Sequence, residues 1–105
     1  MKFNVRMLAF EDPNPDGTPK VRVVTVPDHE LTGKPEHDLE RIWYYGQNDF
    51  QPDPHHCSVS MADVAEYDGK LYVAASMGWK EIDAIQYLEF LHLDRRNRQF
   101  HPLLR

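Results

Sequence analysis

Residues 64–74 read VAEYDGKLYVA, and this run decides the fold class. Two short alternating segments flank Asp68-Gly69, a pair that accepts the left-handed backbone of a two-residue type I′ turn. The pattern predicts an antiparallel hairpin with Val64, Leu71 and Val73 as candidates for its buried side. Upstream, Lys2 to Phe10 alternates, placing Phe3, Val5, Met7 and Ala9 on one side and Asn4, Arg6 and Leu8 on the other. VRVVTV (21–26) is β-branched and short, the natural antiparallel partner of that first strand. Between them EDPNPDGTPK (11–20), with its three prolines and a glycine, is a loop.

Two helices complete the pattern. Pro35 suits a first helical position, and Glu36 and Asp38 suit the positive end of the helix dipole. Leu39, Ile42 and Trp43 form the apolar stripe, and Gly46 is the expected left-handed stop. The second helix spans KEIDAIQYLEFLHLDRRNR (80–98), with Ile82, Ile85, Leu88 and Leu91/His92 at three-to-four-residue intervals. The order β-β-α-β-β-α predicts a single α+β domain over residues 1–105. Its architecture is a small antiparallel sheet of about four strands with two helices packed on one face, followed by a short basic C-terminal tail from about residue 94.

Charge and cysteine content narrow the function classes. The formal net charge is −5, which argues against wholesale binding to nucleic acid or anionic membrane. Residues 1–90 carry 8 basic and 16 acidic side chains, whereas residues 91–105 carry four arginines against Asp94 alone. A single cysteine, Cys57, forms no internal disulfide, and no apolar run approaches the ~20 residues that span a bilayer. The start MKFNVRMLAFED lacks the apolar core of a secretory signal. A cytoplasmic location is expected, with no membrane partner.

Reactive side chains concentrate in YYGQNDFQPDPHHCSVSMADV (44–64). His55, His56 and Cys57 are competent zinc or copper ligands, but adjacent residues in an extended loop point apart, and known zinc sites space their ligand pairs by two to four residues. Cys57 beside His55 or His56 suggests a nucleophile and base, yet proximity along a loop says little about spatial pairing. Asp49 and Asp53 are ordinary loop carboxylates, and the five scattered glycines form no phosphate-binding loop. No catalytic motif is present, so the expectation is a non-enzyme without a cofactor. Arg95, Arg96 and Arg98, interleaved with Phe100 and His101, offer an alternative nucleic-acid contact through the tail. The 55–57 cluster stays open as an alternative metal or thiol site.

The aromatics are more informative. On one helix Tyr44 and Tyr45 project roughly 100° and 200° away from Trp43, so at least one ring is expected at the surface. Beside Phe50, Asp49 and the amides Gln47, Asn48 and Gln51, they have the composition of a recognition surface.

From Asn48 to Ile82 the chain resembles the YodL-like domain of small bacterial proteins often found on plasmids, phages and conjugative elements. The matching residues are Asp49-Phe50, Ser58-Val59-Ser60, Asp63-Val64, Gly69, Tyr72-Val73 and Gly78-Trp79-Lys80-Glu81. The chain departs from that pattern at Met61-Ala62, where a glycine or serine is commoner, and at Trp79, where phenylalanine is usual. The resemblance implies a small accessory protein with no cofactor or catalytic residue to carry over. The residues and the resemblance together predict a non-enzymatic interaction module. It would bind another protein, possibly a basic one, through the 44–57 loop and the acidic faces.

Overall fold

A computed structural model describes all 105 residues. The strands are β1 (Lys2–Arg6), β2 (Val21–Thr25), β3 (Val64–Tyr67), β4 (Lys70–Ala75) and β5 (Gly78–Ile82). The helices are α1 (Pro35–Tyr45), α2 (Ala84–His92) and the short α3 (Arg95–Gln99). All strand pairs are antiparallel, in the order β2-β1-β3-β4-β5. The α+β class, the β1–β2 pairing and the 64–74 hairpin hold. Asp68 (φ 50°) and Gly69 (φ 73°) both take the left-handed backbone that the tight turn demands.

The sheet has five strands rather than four, and its helices cover both faces rather than one. Neighbouring strand residues point to opposite sides, and here both sides are buried. Phe3, Val5, Val24, Ala65, Tyr67 and Tyr72 pack with Leu39 and Ile42 of α1. Val64, Val73 and Ile82 pack on the other face with Tyr87 and Phe90 of α2 and with Leu104. The last dozen residues are thus part of the fold: Ser76 N–H donates to the Leu104 carbonyl at 2.8 Å, and Leu104 is buried.

The expected 80–98 helix resolves into three elements. Gly78 (φ 109°) turns the chain back, and residues 78–82 pair with β4. Asp83 then starts α2 through a full capping box with Gln86. Asp94 accepts from the Asn97 N–H and opens α3, splitting the run at Leu93. The buried stripe of α2 is Tyr87 and Phe90, whereas Ile85 and Leu88 are exposed. Likewise Trp43 stands at the rim of α1, leaving Leu39 and Ile42 as its apolar anchors.

Gly46 ends α1 for a different reason from the one expected. Its backbone is right-handed (φ −78°), but a Cβ there would sit 2.4 Å from Val59 Cγ2 and 2.9 Å from the Ile42 carbonyl. Close approach of the Val59 segment to the helix end is what requires glycine. Gly46→Ala is expected to cost about 1–3 kcal/mol through overpacking, read as a lower thermal midpoint. An unchanged midpoint would mean that Val59 moves aside freely.

Candidate functional site

Arg22 builds the site. It occupies an inward position of β2, in phase with Val24, and its side chain is fully buried. Its guanidinium reaches the 46–58 loop: Nη1 donates to Asn48 Oδ1 at 2.7 Å and to the Cys57 carbonyl at 2.8 Å, and Nη2 donates to the Gln51 carbonyl at 2.6 Å. One planar fork thus holds both limbs of an irregular loop, which a lysine's point charge cannot reproduce. Burial lowers the pKa of Arg22 from its usual value, while the charges of Asp53 and Glu11 oppose that shift.

The three amides expected at a recognition surface instead serve the loop. The Asn48 side chain donates to the His56 carbonyl, while its backbone N–H donates to Ser58 Oγ. Gln47 Nε2 bridges the Trp43 and Val59 carbonyls. Gln51 pairs its side-chain amide with both the N–H and the C=O of Thr25, at 2.9 and 2.8 Å, closing the outer edge of β2 there as a strand residue would. Each bond satisfies a backbone group that the irregular loop would otherwise leave unmade.

What the loop presents is aromatic. Tyr44 and Phe50 stack with centroids 4.1 Å apart and planes at 18°, and Tyr45 meets Tyr44 edge-on at 5.0 Å. Arg41 lies over the Tyr44 ring at 4.8 Å. The Tyr45 hydroxyl donates to the Glu30 carboxylate, which also receives Arg41 at 3.0 Å. That hydroxyl contact raises the pKa of Tyr45 and lowers that of Glu30. Phe50 is 54% exposed and Asp49 lies in the open beside it.

The 55–57 cluster is split. His56 Nδ1 sits 2.9 Å from the Glu11 carboxylate, which also accepts the Cys57 N–H at 3.0 Å. His55 is exposed, and its backbone N–H donates to Asp53. The Cys57 thiol is free and exposed. No three His, Cys, Asp or Glu side chains converge as a metal site would require.

The tail arginines are also dispersed. Arg98 is buried and donates to the Leu91, Leu93 and Leu8 carbonyls. Arg95 donates to the Phe10 carbonyl and pairs with Asp12. Arg96, like Arg105, extends into solvent with no side-chain partner. The cationic cluster seen in the sequence is therefore largely a set of carbonyl staples.

Sequence reasoning passed over Arg22 and Glu11, the two residues that shape the loop. Arg22 carried a legible signal, a charged side chain in the inward phase of VRVVTV; Glu11 carried none. Asp63 is buried, and its carboxylate accepts the N–H groups of Ala9 (2.8 Å) and Ser60 (2.8 Å). No helix is long and apolar enough to cross a membrane. No family model, curated protein or solved structure matches the chain.

Proposed function

We propose that this protein is a non-enzymatic, cytoplasmic interaction module that binds a protein partner through the stacked Tyr44–Phe50 pair, with Tyr45 and Asp49 around it. The observation that carries the reading is the Arg22 fork, which fixes the loop beneath the aromatics. An exposed aromatic pair on a loop held by a buried guanidinium loses little conformational freedom when a partner covers it, the condition under which tyrosine and phenylalanine contribute most to an interface. The YodL-like resemblance of residues 48–82 is compatible with an accessory role on a mobile element, and the single cysteine is compatible with a reducing compartment. The chain's acidity favours a basic partner.

The test is affinity capture from host lysate with the wild-type chain and with Y44A/F50A. Both positions are exposed, so the variant is expected to keep its far-ultraviolet circular dichroism and thermal midpoint. A partner retained by the wild type and lost with the double variant supports the surface. An identical set of captured proteins from both overturns it.

A further inference from the structure

A second surface lies where α1 meets β5. The protein's only two tryptophans, 36 positions apart in sequence, meet there: Trp43 of α1 and Trp79 of β5 stand nearly perpendicular (80°) with centroids 6.2 Å apart. They line a cavity of about 210 Å³ together with Glu40, Ser76 and Gly78. A further recess of about 320 Å³ continues along α1 past Glu36 and the exposed Met77. Neither Glu36 nor Glu40 has an ion-pair partner, and both are exposed. Perpendicular indoles beside a free carboxylate form a cation-accepting corner, because ring faces and carboxylate attract positive charge together.

The adjacent strand edge is open. Ala74 turns its N–H and C=O toward β3, bonding to the Asp63 carbonyl and the Ala62 N–H at 2.9 Å each. Its partner in register, Trp79, therefore turns its own N–H and C=O outward, and so does Glu81, opposite Tyr72. No protein group meets them. The two sheet edges thus differ: Gln51 covers β2 at Thr25, while β5 has no such cover. An uncovered edge beside a side-chain pocket is the arrangement by which sheets take up an extended peptide.

We infer that β5 accepts an extended basic peptide segment of a partner protein, which pairs with Trp79 and Glu81 and places a lysine or arginine side chain between Trp43, Trp79 and Glu40. Charge selects the occupant. Glu36 and Glu40 on the helix wall, and Glu81 on the strand, favour a cationic segment and repel nucleic acid. Glu81 is shared only with Lys70 at 3.8 Å, with both side chains more than half exposed.

The probe is the fluorescein-labelled peptide acetyl-Thr-Val-Lys-Val-Arg-Val-Thr-amide, followed by anisotropy and by the two indole N–H resonances of the isotope-labelled full chain. Binding is expected to shift both indole peaks. It should weaken several-fold between about 50 mM and about 300 mM salt and about tenfold or more in E40K, a loss of about 1.4 kcal/mol. Glu40 is exposed, so that charge reversal leaves folding intact even if W43A does not fold. N-methylation of alternate peptide nitrogens should also abolish binding, because it removes donors to the edge. Y44A/F50A should bind as the wild type does, separating this surface from the Tyr44–Phe50 one. The proposal is overturned if millimolar peptide moves neither indole, or if E40K or N-methylation leaves affinity unchanged. It is equally overturned if oligo-dT moves the same peaks, or if sedimentation shows a second copy already covering β5.

Discussion

Arg22→Met is expected to lower the unfolding free energy by about 3 kcal/mol or more, and the thermal midpoint by roughly 12 °C or more at the ~4–8 °C per kcal/mol of a domain this size. Two effects oppose each other. Methionine relieves the burial of a cation whose Nε has no partner. Against that, Asn48 Oδ1 and the Cys57 and Gln51 carbonyls lose their donor together. Three bonds to a charged group, each worth ~1.5–3 kcal/mol, outweigh the relief. Arg22→Lys should fall between the two, since one ammonium cannot span acceptors on both limbs of the loop. The same substitutions should disorder the aromatic pair: in R22K the ring-current shifts of Phe50 and Tyr44 should collapse toward free values before global unfolding. A lysine variant with wild-type midpoint and shifts would refute the role assigned to the fork.

That expectation also explains what the sequence conveyed and what it withheld. The 64–74 hairpin was legible because its signal is local: two alternating runs and an Asp-Gly turn. The first strand pair was legible because Phe3/Val5 and Val24/Val26 announce one buried side. The fifth strand was not, because Trp79-Lys80-Glu81-Ile82 carries only one and a half alternations and runs into a stretch with genuine helical spacing. The decisive marks were Asp83 and Asp94, two capping aspartates that cut one apparent helix into separate pieces. Coverage of both faces was hidden in Ala65, Tyr67 and Tyr72, tolerant residues that fit an exposed or a buried face until the register is known.

The loop surface was half legible. At least one exposed ring was expected, and Tyr44 and Phe50 are exposed, but composition cannot distinguish an amide aimed at a partner from one aimed at its own backbone. Gln51 and Asn48 are satisfied by groups 26 residues or more distant, or by the far limb of the loop. The tail arginines misled for the same reason, since carbonyl acceptors such as those of Leu8 and Phe10 leave no trace in sequence.

Buried polar groups recur wherever irregular chain meets the sheet, and Asp38 shows how they work. Its carboxylate accepts the Thr32 and Gly33 N–H groups at 2.9 Å each and the Tyr67 hydroxyl at 2.5 Å. Burial alone would raise its pKa, but these bonds together hold it below the ordinary carboxylate value. Burial and the Asp38 bond push Tyr67 up to about 12. By linkage, the stability that Asp38 supplies is present above the unfolded carboxylate pKa and lost as pH falls through its own lower value.

Asp63 titrates the opposite way, and this gives the second large effect. Burial pushes its carboxyl up to about 7, against the pull of the Ala9 and Ser60 N–H groups and with help from the Glu11 charge. A carboxyl raised in the folded state contributes stability that is complete below its unfolded pKa of about 4 and lost as pH rises through 7. At 1.36 kcal/mol per pH unit, unfolding free energy should therefore fall by roughly 3 kcal/mol between about pH 5 and about pH 8, as measured by urea titration. Asp63→Asn removes the ionisation and should flatten that slope. At pH 5 the protonated carboxyl and the amide each turn one carbonyl oxygen and one donor-bearing group toward the Ala9 and Ser60 N–H groups, so the substitution should change stability there by about 1 kcal/mol or less. Asp63→Ala releases the ends of both segments and should cost more. The carboxylate closes a turn in which Ala62 is held at φ 88°, a conformation alanine adopts only under constraint. Without Asp63 that turn has reason to relax, and Ala9 and Ser60 are left with unmet donors in the interior. A wild-type urea midpoint that stays level from pH 5 to 8, or an asparagine variant that keeps the wild-type slope, would remove Asp63 as the origin of the pH dependence.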